Sequence, residues 1–457
     1  MLQYVELPDC FYPTPPVTIP PSAPTPKQSL YLSNLDDQKF LRFSIKYLFL
    51  FKKSVSFDTL KSSLARVLVD YYPLAGRLRT SIEEDHNKLE VDCNGEGAVF
   101  AEAFMDASAE ELLESSKLPN KSWRKLLYRV EAQSFLDVPP LVIQVTSLRC
   151  GGMILCTAIN HCLCDGIGTS QFLHAWAHLT TNPTTNLTIT PFHWRHVLRS
   201  QNPAQVKLPH PSYTRTKLTP QVDLFTWMQT QSLVATSFTF GPTEVLRLKK
   251  HSRVPRNTTT FEAVAAHTWR SWVRSLNLGP TVTVKLLFSV NVRKKLNLPE
   301  GFYGNGFVLA CAESSVWDLV SSDDNFHHVV KLVQQAKGDL SEECVRSMID
   351  LLEDKKVRTD LSTSLVISQW SRLGLEDVDF GEGKPVHMGP LTSDVYCLFL
   401  PVVGDAKAVR VLVSVPESVV ERFQGYMMIN ESWEKDHGDG DVNNTNNING
   451  VACVMRK

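Results

Sequence analysis

One stretch of the chain combines a strand, a loop and a helix in an order that constrains the fold more than any other feature. Residues 153–158 form an apolar run that predicts a buried strand. His161 follows this run, Asp165 comes four residues later, and Gly166 stands at the turn. Residues 169–179 place apolar side chains at helical spacing. A histidine and a carboxylate at the end of a buried strand indicate a catalytic loop.

The spacing of His161 and Asp165 carries little information by itself. The chain has 13 histidines, and the same spacing occurs again at His437 and Asp441 in a segment rich in Gly, Asp and Asn. A neutral imidazole can act as a general base, because its pKa lies near the working pH and its second nitrogen can be held. The competing interpretation of His161 is a structural histidine that is satisfied within the core.

Two roles are open for Asp165. It could orient the His161 ring, or it could pair with an arginine and hold the shape of the loop. Sequence proximity favours the second role, because Asp165 stands at the head of the next helix, where a carboxylate complements the helix dipole. Cys162 and Cys164 flank the same loop, but a structural zinc site needs four ligands and the sequence has no second ligand pair. We therefore predict no metal site.

The composition is that of an ordinary globular protein and argues against several classes of function. With 457 residues, 43% of them hydrophobic and 21% charged, the chain is long enough for two or three domains. A formal net charge of −1 without a basic block argues against nucleic acid as a partner. The sequence has no apolar run of about 18 residues and no signal-peptide pattern, so we expect no membrane insertion. Ten scattered cysteines are typical of free thiols in a cytoplasmic protein.

The chain up to His161 predicts one α/β half. Residues 43–51 are rich in aromatic and β-branched side chains and predict a strand. Residues 59–71 carry an apolar face at helical spacing and predict a helix. Two hairpins are predicted next, 89–93 with 98–100, and 141–148 with 152–159.

A second α/β half follows a long irregular segment. Residues 181–222 are rich in Thr, Asn, Pro and His, and they predict a crossover between domains because they are too long for an ordinary loop. The elements predicted after it are strands at 237–240, 285–290, 365–367, 396–402 and 409–415, a helix at 260–276, and one or two helices within 323–355. We therefore divide the chain into an N-terminal domain (1–185), a crossover linker (186–222), a C-terminal domain (223–430) and a disordered tail (431–457).

The sequence has no phosphate-binding loop, no nucleophile elbow and no dinucleotide fingerprint. Its motifs instead resemble those of the plant BAHD acyl-CoA-dependent acyltransferases and occur in the same order. The matching segments are 72–78, 92–97, 161–166, 302–305, 368–372 and 379–385. The resemblance spans residues 15 to 430 or so. It implies an α/β fold of two chloramphenicol-acetyltransferase-like domains with mixed sheets, joined by a long crossover loop, with a channel between them.

The resemblance implies a direct transfer in which acyl-CoA is a co-substrate and no cofactor is bound. His161 would remove the proton from an acceptor hydroxyl or amine, which attacks the thioester carbonyl and expels the CoA thiolate. Ser368 and Trp370 are the implied donors to the tetrahedral oxyanion. By the same resemblance, Asp165 pairs with an arginine and keeps the geometry of the loop.

The remaining site residues are also assigned by resemblance. Thr260 and Asn305 lie in the half that contacts CoA, although Thr260 could equally cap its helix. Asp379 belongs to a structural signature away from the chemistry, and Arg293 is its expected partner. Glu382 stands where the family has tryptophan, so this loop is either more exposed or differently packed.

The implied function is an O-acyltransferase that moves an acyl or aroyl group from CoA to an alcohol. Segments 30–38, 301–307 and 368–374 resemble the subgroup of hydroxycinnamoyltransferases that act on ω-hydroxy fatty acids and fatty alcohols. N-acylation of an amine, or a non-catalytic member that binds a partner in lipid synthesis, are the alternatives. A carrier-dependent condensation enzyme ranks last, because it would have a histidine at Asn160. We expect a monomer.

Overall fold

A computed structural model of the protein contains two six-stranded sheets, and each sheet has both parallel and antiparallel pairs. This confirms the α/β fold with mixed sheets that the sequence predicted. The structure describes residues 6–81, 88–115, 118–119, 121–215, 223–253, 257–321, 325–392 and 396–429.

The first sheet comes mostly from the N-terminal half. Its strands are β1 (Val17–Ile19), β3 (Ser44–Phe51), β6 (Ala98–Met105), β7 (Leu141–Leu148), β8 (Met153–Asn160) and β15 (His387–Pro390). They lie in the order β1-β6-β7-β8-β3-β15, with β6 and β7 parallel. The antiparallel pair of β7 and β8 is the predicted hairpin that leads to His161.

The second sheet comes from the C-terminal half. Its strands are β10 (Leu233–Phe240), β11 (Thr283–Asn291), β12 (Phe307–Ser315), β14 (Ser364–Gln369), β16 (Cys397–Val402) and β17 (Asp405–Pro416). They lie in the order β10-β17-β16-β14-β11-β12, and β14 runs parallel to both of its neighbours. A further short pair joins β9 (Tyr213–Thr214) to β13 (Arg358–Thr359).

Helices cover the sheets and bury the core. The described helices are α1 (Phe57–Asp70), α2 (Ala109–Ser115), α3 (Gly166–Thr181), α4 (Leu224–Gln229), α5 (Pro242–His251), α6 (Thr260–Leu276), α7 (Val316–Val320), α8 (Phe326–Gly338), α9 (Glu342–Leu351) and α10 (Val420–Met427). The helix predicted at 260–276 is α6, and it begins with a capping box between Thr259 and Glu262. None of the described helices is both long and apolar enough to cross a membrane.

Strand β3 shows how the sequence builds the first sheet. Tyr47, Phe49 and Phe51 alternate with Leu48 and Leu50, so the two sets point to opposite faces. The aromatic set packs into the core under α1 and α3, whereas the two leucines belong to a smaller core on the other face. The run is apolar throughout because both faces of the sheet are buried.

The predicted hairpin of residues 89–93 with 98–100 is wrong. The first segment is β5 (Leu89–Asp92), which pairs with β2 (Ser29–Tyr31) and β4 (Arg77–Thr80) in a separate three-stranded sheet. The second segment belongs to β6, which pairs with β1 and β7. A loop, residues 93–97, does separate the two segments. The strands that pair with β5 are decided by apolar side chains that lie far apart in the sequence. Leu30, Val91 and Leu78 form one cross-strand row in this sheet.

Strand β15 carries the C-terminal half into the first sheet, where it pairs antiparallel with β3. The segment before it adds Trp370 and Phe380 to the core of the first sheet. The two halves of the chain are therefore interleaved as well as joined by the linker. The domain boundaries proposed from the sequence stay a prediction.

The linker contains one short helical turn, Arg195–Leu198, and ends at β9 in the part that the structure describes. Its last residues, 216–222, lie outside the described residues. The predicted disordered tail, 431–457, also lies outside them, and with it the second His-x-x-x-Asp match.

Candidate functional site

The loop after β8 carries His161 and is fixed at both ends. The His161 N–H donates to the Phe43 carbonyl at 2.9 Å, which ties the loop to the neighbouring strand. Asp165 caps α3, because its carboxylate accepts from the Gly168 N–H at 2.9 Å. The strand, loop and helix that the sequence predicted are present in this order, with α3 beginning at Gly166.

The His161 ring is partly exposed and lies between two aromatic rings. Its centroid is 5.5 Å from that of Phe43 and 5.8 Å from that of Phe307. Burial lowers the pKa of His161 below its ordinary value, and its own carbonyl oxygen and the charge of Asp165 oppose this only in part. A histidine in this state is neutral near pH 7 and can accept a proton.

Asp165 is engaged by an arginine from the second half of the chain. Two guanidinium nitrogens of Arg293 lie 2.8 Å from its two carboxylate oxygens, and the Gly306 N–H donates to it at 3.0 Å. The side chains of Asp165 and Arg293 are 6% and 13% exposed. Burial alone would raise the pKa of Asp165, but the Arg293 charge and these hydrogen bonds hold it below its ordinary value. The carboxylate therefore holds two segments together.

The expected pair of Asp379 with Arg293 is wrong, because Asp165 occupies the guanidinium. The Asp379 carboxylate instead accepts from the backbone N–H groups of Gly381 at 2.8 Å and Gly383 at 3.0 Å. Both glycines have positive φ, 105° and 102°, which glycine adopts without strain. The Asp-x-Gly-x-Gly pattern thus specifies a local turn.

Phe380 anchors this turn in the core. It is 3% exposed and packs its ring against those of Trp176, with centroids 4.9 Å apart, and Phe51, at 6.1 Å. The Glu382 side chain is 47% exposed and lies 3.6 Å from Lys53. Of the two outcomes that the sequence left open for Glu382, the structure shows the exposed one.

Residues 33–38 are mostly polar and contain a buried charge that the sequence motifs do not predict. Asp36 is fully buried and accepts from the backbone N–H of Asn305 at 2.8 Å and from its Nδ2 at 3.0 Å. Arg195 of the linker is also fully buried, lies 3.5 Å from Asp36, and donates to the Leu163 carbonyl at 3.0 Å. These contacts tie the N-terminal segment, the linker and the 302–306 loop to the His161 loop.

Two glycines permit this close packing. A side chain at Gly304 would overlap the Arg195 guanidinium, and a side chain at Gly168 would overlap the Tyr303 carbonyl. Two features of the sequence indicate this network. They are the polar residues of segment 33–38, which lie among leucines, and the glycine-rich 301–306 segment.

The predicted contact of Asn305 with CoA is wrong. Asn305 is fully buried, and its Nδ2 donates to Asp36 and, at 2.7 Å, to the His161 carbonyl. A side chain with no exposed surface and both amide hydrogens engaged cannot bind a phosphate of CoA.

Ser368 and Trp370 lie at the end of β14, on the side that faces the first sheet. The Trp370 ring packs on that of Tyr47 with a centroid distance of 4.7 Å, and Ser368 is partly exposed. Because side chains alternate along a strand, Gln369 points the other way, into a cavity.

This cavity has a volume of about 410 Å³ and a basic lining. Lys249, Arg372 and Lys407 lie on its wall, and the described lining includes no acidic side chain. Thr260 lies there too, as the first residue of α6. The N-cap of that helix is Thr259, so the alternative role of Thr260 as the cap is not the one observed.

Comparisons with known proteins cover almost the whole chain. The model of the Transferase family matches residues 15–428. A fatty alcohol:caffeoyl-CoA acyltransferase of Arabidopsis thaliana is 35% identical over 427 residues, which cover 91% of this chain and 97% of the relative. An omega-hydroxypalmitate O-feruloyl transferase of the same plant is 34% identical over 425 residues, covering 90% of this chain and 91% of the relative.

A benzyl alcohol O-benzoyltransferase of Petunia hybrida is 36% identical over 393 residues, which cover 83% of each chain. Solved structures share the fold at lower identity. The crystal structure of vinorine synthase has a TM-score of 0.67 and 21% identity, covering 90% of this chain and 95% of that one. F. graminearum TRI101, complexed with coenzyme A and T-2 mycotoxin, has a TM-score of 0.75 and 16% identity, covering 89% and 98%.

We expect Arg293→Met to destabilise the fold, because it leaves the buried Asp165 carboxylate without its counter-charge. The loss in the free energy of unfolding should be about 3–5 kcal/mol, as for other broken buried pairs, and guanidinium denaturation measures it. Arg149→Met is the matched control, since Arg149 pairs with Asp106 and Glu111 at the surface. Its stability should change little, and equal losses in the two variants would contradict this account.

Proposed function

This chain belongs to the Transferase family, the BAHD acyl-CoA-dependent acyltransferases, and from that premise we propose that it transfers acyl groups from CoA to an alcohol with His161 as the general base. The observation that carries the assignment of His161 is its setting. A neutral, partly exposed imidazole stands on a loop held between the two halves of the chain. Positioning and general-base catalysis together are enough for large rate enhancements in such a site.

In the proposed mechanism, His161 takes the proton from the acceptor hydroxyl as the oxygen attacks the thioester carbonyl. The tetrahedral intermediate then collapses, the carbon–sulfur bond breaks, and the CoA thiolate leaves and takes up the proton. Ser368 and Trp370 are proposed as donors to the oxyanion. Their support is their place at the end of β14, on the face toward the first sheet. Asp165, neutralised by Arg293, keeps the loop in shape.

The basic cavity beside β14 is the proposed site for the phosphates of CoA. Lys249, Arg372 and Lys407 offer three positive charges, and none of them pairs with an acidic side chain among the described residues. Thr260 adds a hydroxyl at the first turn of α6. The cavity also borders Gln369, next to Ser368 and Trp370. A bound CoA would therefore have its thioester end near the residues proposed for chemistry.

We propose a hydroxycinnamoyl-type donor and a long-chain alcohol acceptor. Support comes from two relatives that match nine-tenths of the chain and are named for caffeoyl or feruloyl transfer to a fatty alcohol or an omega-hydroxy acid. The protein is further proposed to act as a monomer in the cytoplasm. The site assembled within one chain supports the first point, and the nine free thiols among the described cysteines support the second.

The function is tested by a matrix of CoA thioesters against alcohols and amines, read by release of free CoA thiol. The wild-type protein should be most active with hydroxycinnamoyl-CoA and long-chain alcohols.

His161→Ala should lower kcat by about 10²–10⁴-fold, the contribution of a general base. His328→Ala on α8 is the control and should keep full activity. Retention of most activity by His161→Ala would show that another group is the base.

The pH dependence of kcat/KM should reflect the lowered pKa of His161. The protonated imidazole cannot accept a proton, so kcat/KM rises with pH through the pKa and is then flat. Because burial lowers this pKa from its ordinary value of 6.5, the acid limb should have its midpoint below pH 6.5, and the profile should be level in neutral and mildly basic solution. An acid limb with its midpoint above pH 6.5 would contradict the burial of this ring.

Removing two charges from the basic cavity should weaken the binding of the donor. Lys249→Ala/Arg372→Ala should raise KM for acyl-CoA by about 10–100-fold with little change in kcat, because hydrogen bonds to charged groups are lost equally in the ground and transition states. Lys331→Ala, an exposed lysine on α8, is the control. An unchanged KM in the double variant would place CoA elsewhere.

A further inference from the structure

The Asn305 side chain is held in a single orientation. Its Nδ2 donates to the Asp36 carboxylate at 3.0 Å and to the His161 carbonyl at 2.7 Å. Both partners can only accept, so the amide nitrogen has to face them and Oδ1 has to face away. Asn305 is fully buried, and its backbone N–H donates to the same carboxylate at 2.8 Å. No exchange with solvent competes with this arrangement.

Two buried polar atoms of this cluster complement each other. Nδ1 of His161 and Oδ1 of Asn305 are both buried, and neither has a standard hydrogen bond to a described residue. The two side chains are already joined through the His161 carbonyl. Burial lowers the pKa of His161, and the His161 carbonyl and, to a smaller extent, the Asn305 side chain act in the opposite direction, as acceptors close to the ring do. The carbonyl that shares this role is itself held by Asn305 Nδ2.

We propose that Asn305, with Asp36 behind it, is the positioning residue that keeps the His161 proton on Nδ1 and so leaves Nε2 free as the base. This proposal rests on the proposed function of His161 in acyl transfer. The role is the one that a carboxylate fills in a Ser-His-Asp triad. Asp165 cannot fill it here, since Arg293 and backbone N–H groups use both of its oxygens.

An amide suits this position better than a carboxylate. A carboxylate in contact with the ring would stabilise the imidazolium and raise the pKa of the base, whereas a neutral amide oxygen orients Nδ1–H with a smaller effect on the pKa. The negative charge lies on Asp36, which contacts Asn305 and not the ring. Arg195, at 3.5 Å, partly balances this charge. His161 is thus oriented and still neutral near pH 7.

Rigidity comes from the other contacts of Asp36. Its carboxylate also accepts from the backbone N–H of Ser33 at 3.0 Å and from the Ser33 hydroxyl at 2.6 Å. Arg195 packs on the Tyr303 ring at 4.6 Å from its centroid. Asn305 is therefore attached to a part of the structure that has little freedom to move when substrates bind.

The test uses the full-length protein with ¹⁵N-labelled histidine, and the imidazole nitrogens are observed by NMR at pH 8. His161→Ala assigns the signals. The wild-type protein should show His161 as the Nδ1–H tautomer alone. Asn305→Ala should show a mixture of tautomers. It should also lower kcat by about 10–100-fold, part of the general-base contribution, and change KM for acyl-CoA by less than about threefold.

Asn34→Ala is the matched control. Asn34 is 2% exposed, donates to the Ile349 carbonyl at 3.1 Å and to Glu353 at 2.7 Å, and accepts from Lys355 at 3.3 Å, so its loss removes three hydrogen bonds that do not involve His161. The control should keep the wild-type tautomer and kcat. Should Asn305→Ala fail to fold, Asn305→Ser leaves a small donor near Asp36 but no oxygen within reach of the ring, and the same changes are expected.

A single Nδ1–H tautomer with unchanged kcat in the Asn305 variants overturns the proposal, and so does an equal loss of kcat in Asn34→Ala. The proposed function fails separately. If the tautomer depends on Asn305 but the wild-type protein transfers no acyl group from any CoA thioester, the positioning role holds and the assigned reaction is wrong.

Discussion

The ion pair of Asp165 and Arg293 is the interaction on which the site depends. It joins the first turn of α3, in the N-terminal half, to the segment after β11, in the C-terminal half. Both side chains are largely buried, so the pair is stable only because both charges and their hydrogen bonds are matched. With this contact in place, the 302–306 loop lies against the His161 loop, and the polar groups of the two loops meet.

The carboxylates around His161 therefore have separate tasks. Asp165 forms a structural ion pair with Arg293. Asp36 holds Asn305 without contacting the imidazole ring. Burial keeps His161 neutral, and the charges nearby are each balanced by an arginine. A proposed base that has to be neutral at rest and charged for one step is served by this arrangement, because the lowering of its pKa by burial outweighs the raising effect of Asp165 and Asp36.

Strand β14 connects the proposed chemistry with the proposed binding of CoA. Alternation along the strand sends Ser368 and Trp370 toward the first sheet, and it sends Gln369 toward the basic cavity. Both sides of one rigid strand are used, so the spacing between the cavity and the site is fixed by backbone geometry. The same alternation explains why these three residues, which face two different sites, are consecutive in the sequence.

The sequence by itself determined the local elements and the position of His161, the proposed base. Apolar periodicity found β3, α1, α6 and the hairpin of β7 and β8, and the ordered motifs identified the family and His161. Only the tertiary structure decided which distant segments meet. It placed β5 and β6 in different sheets, brought β15 into the first sheet, gave Arg293 to Asp165 instead of Asp379, and buried Asn305 against Asp36. Periodicity and capping act over a few residues and leave a local signal, whereas strand partners and buried ion pairs depend on groups that lie far apart in the chain.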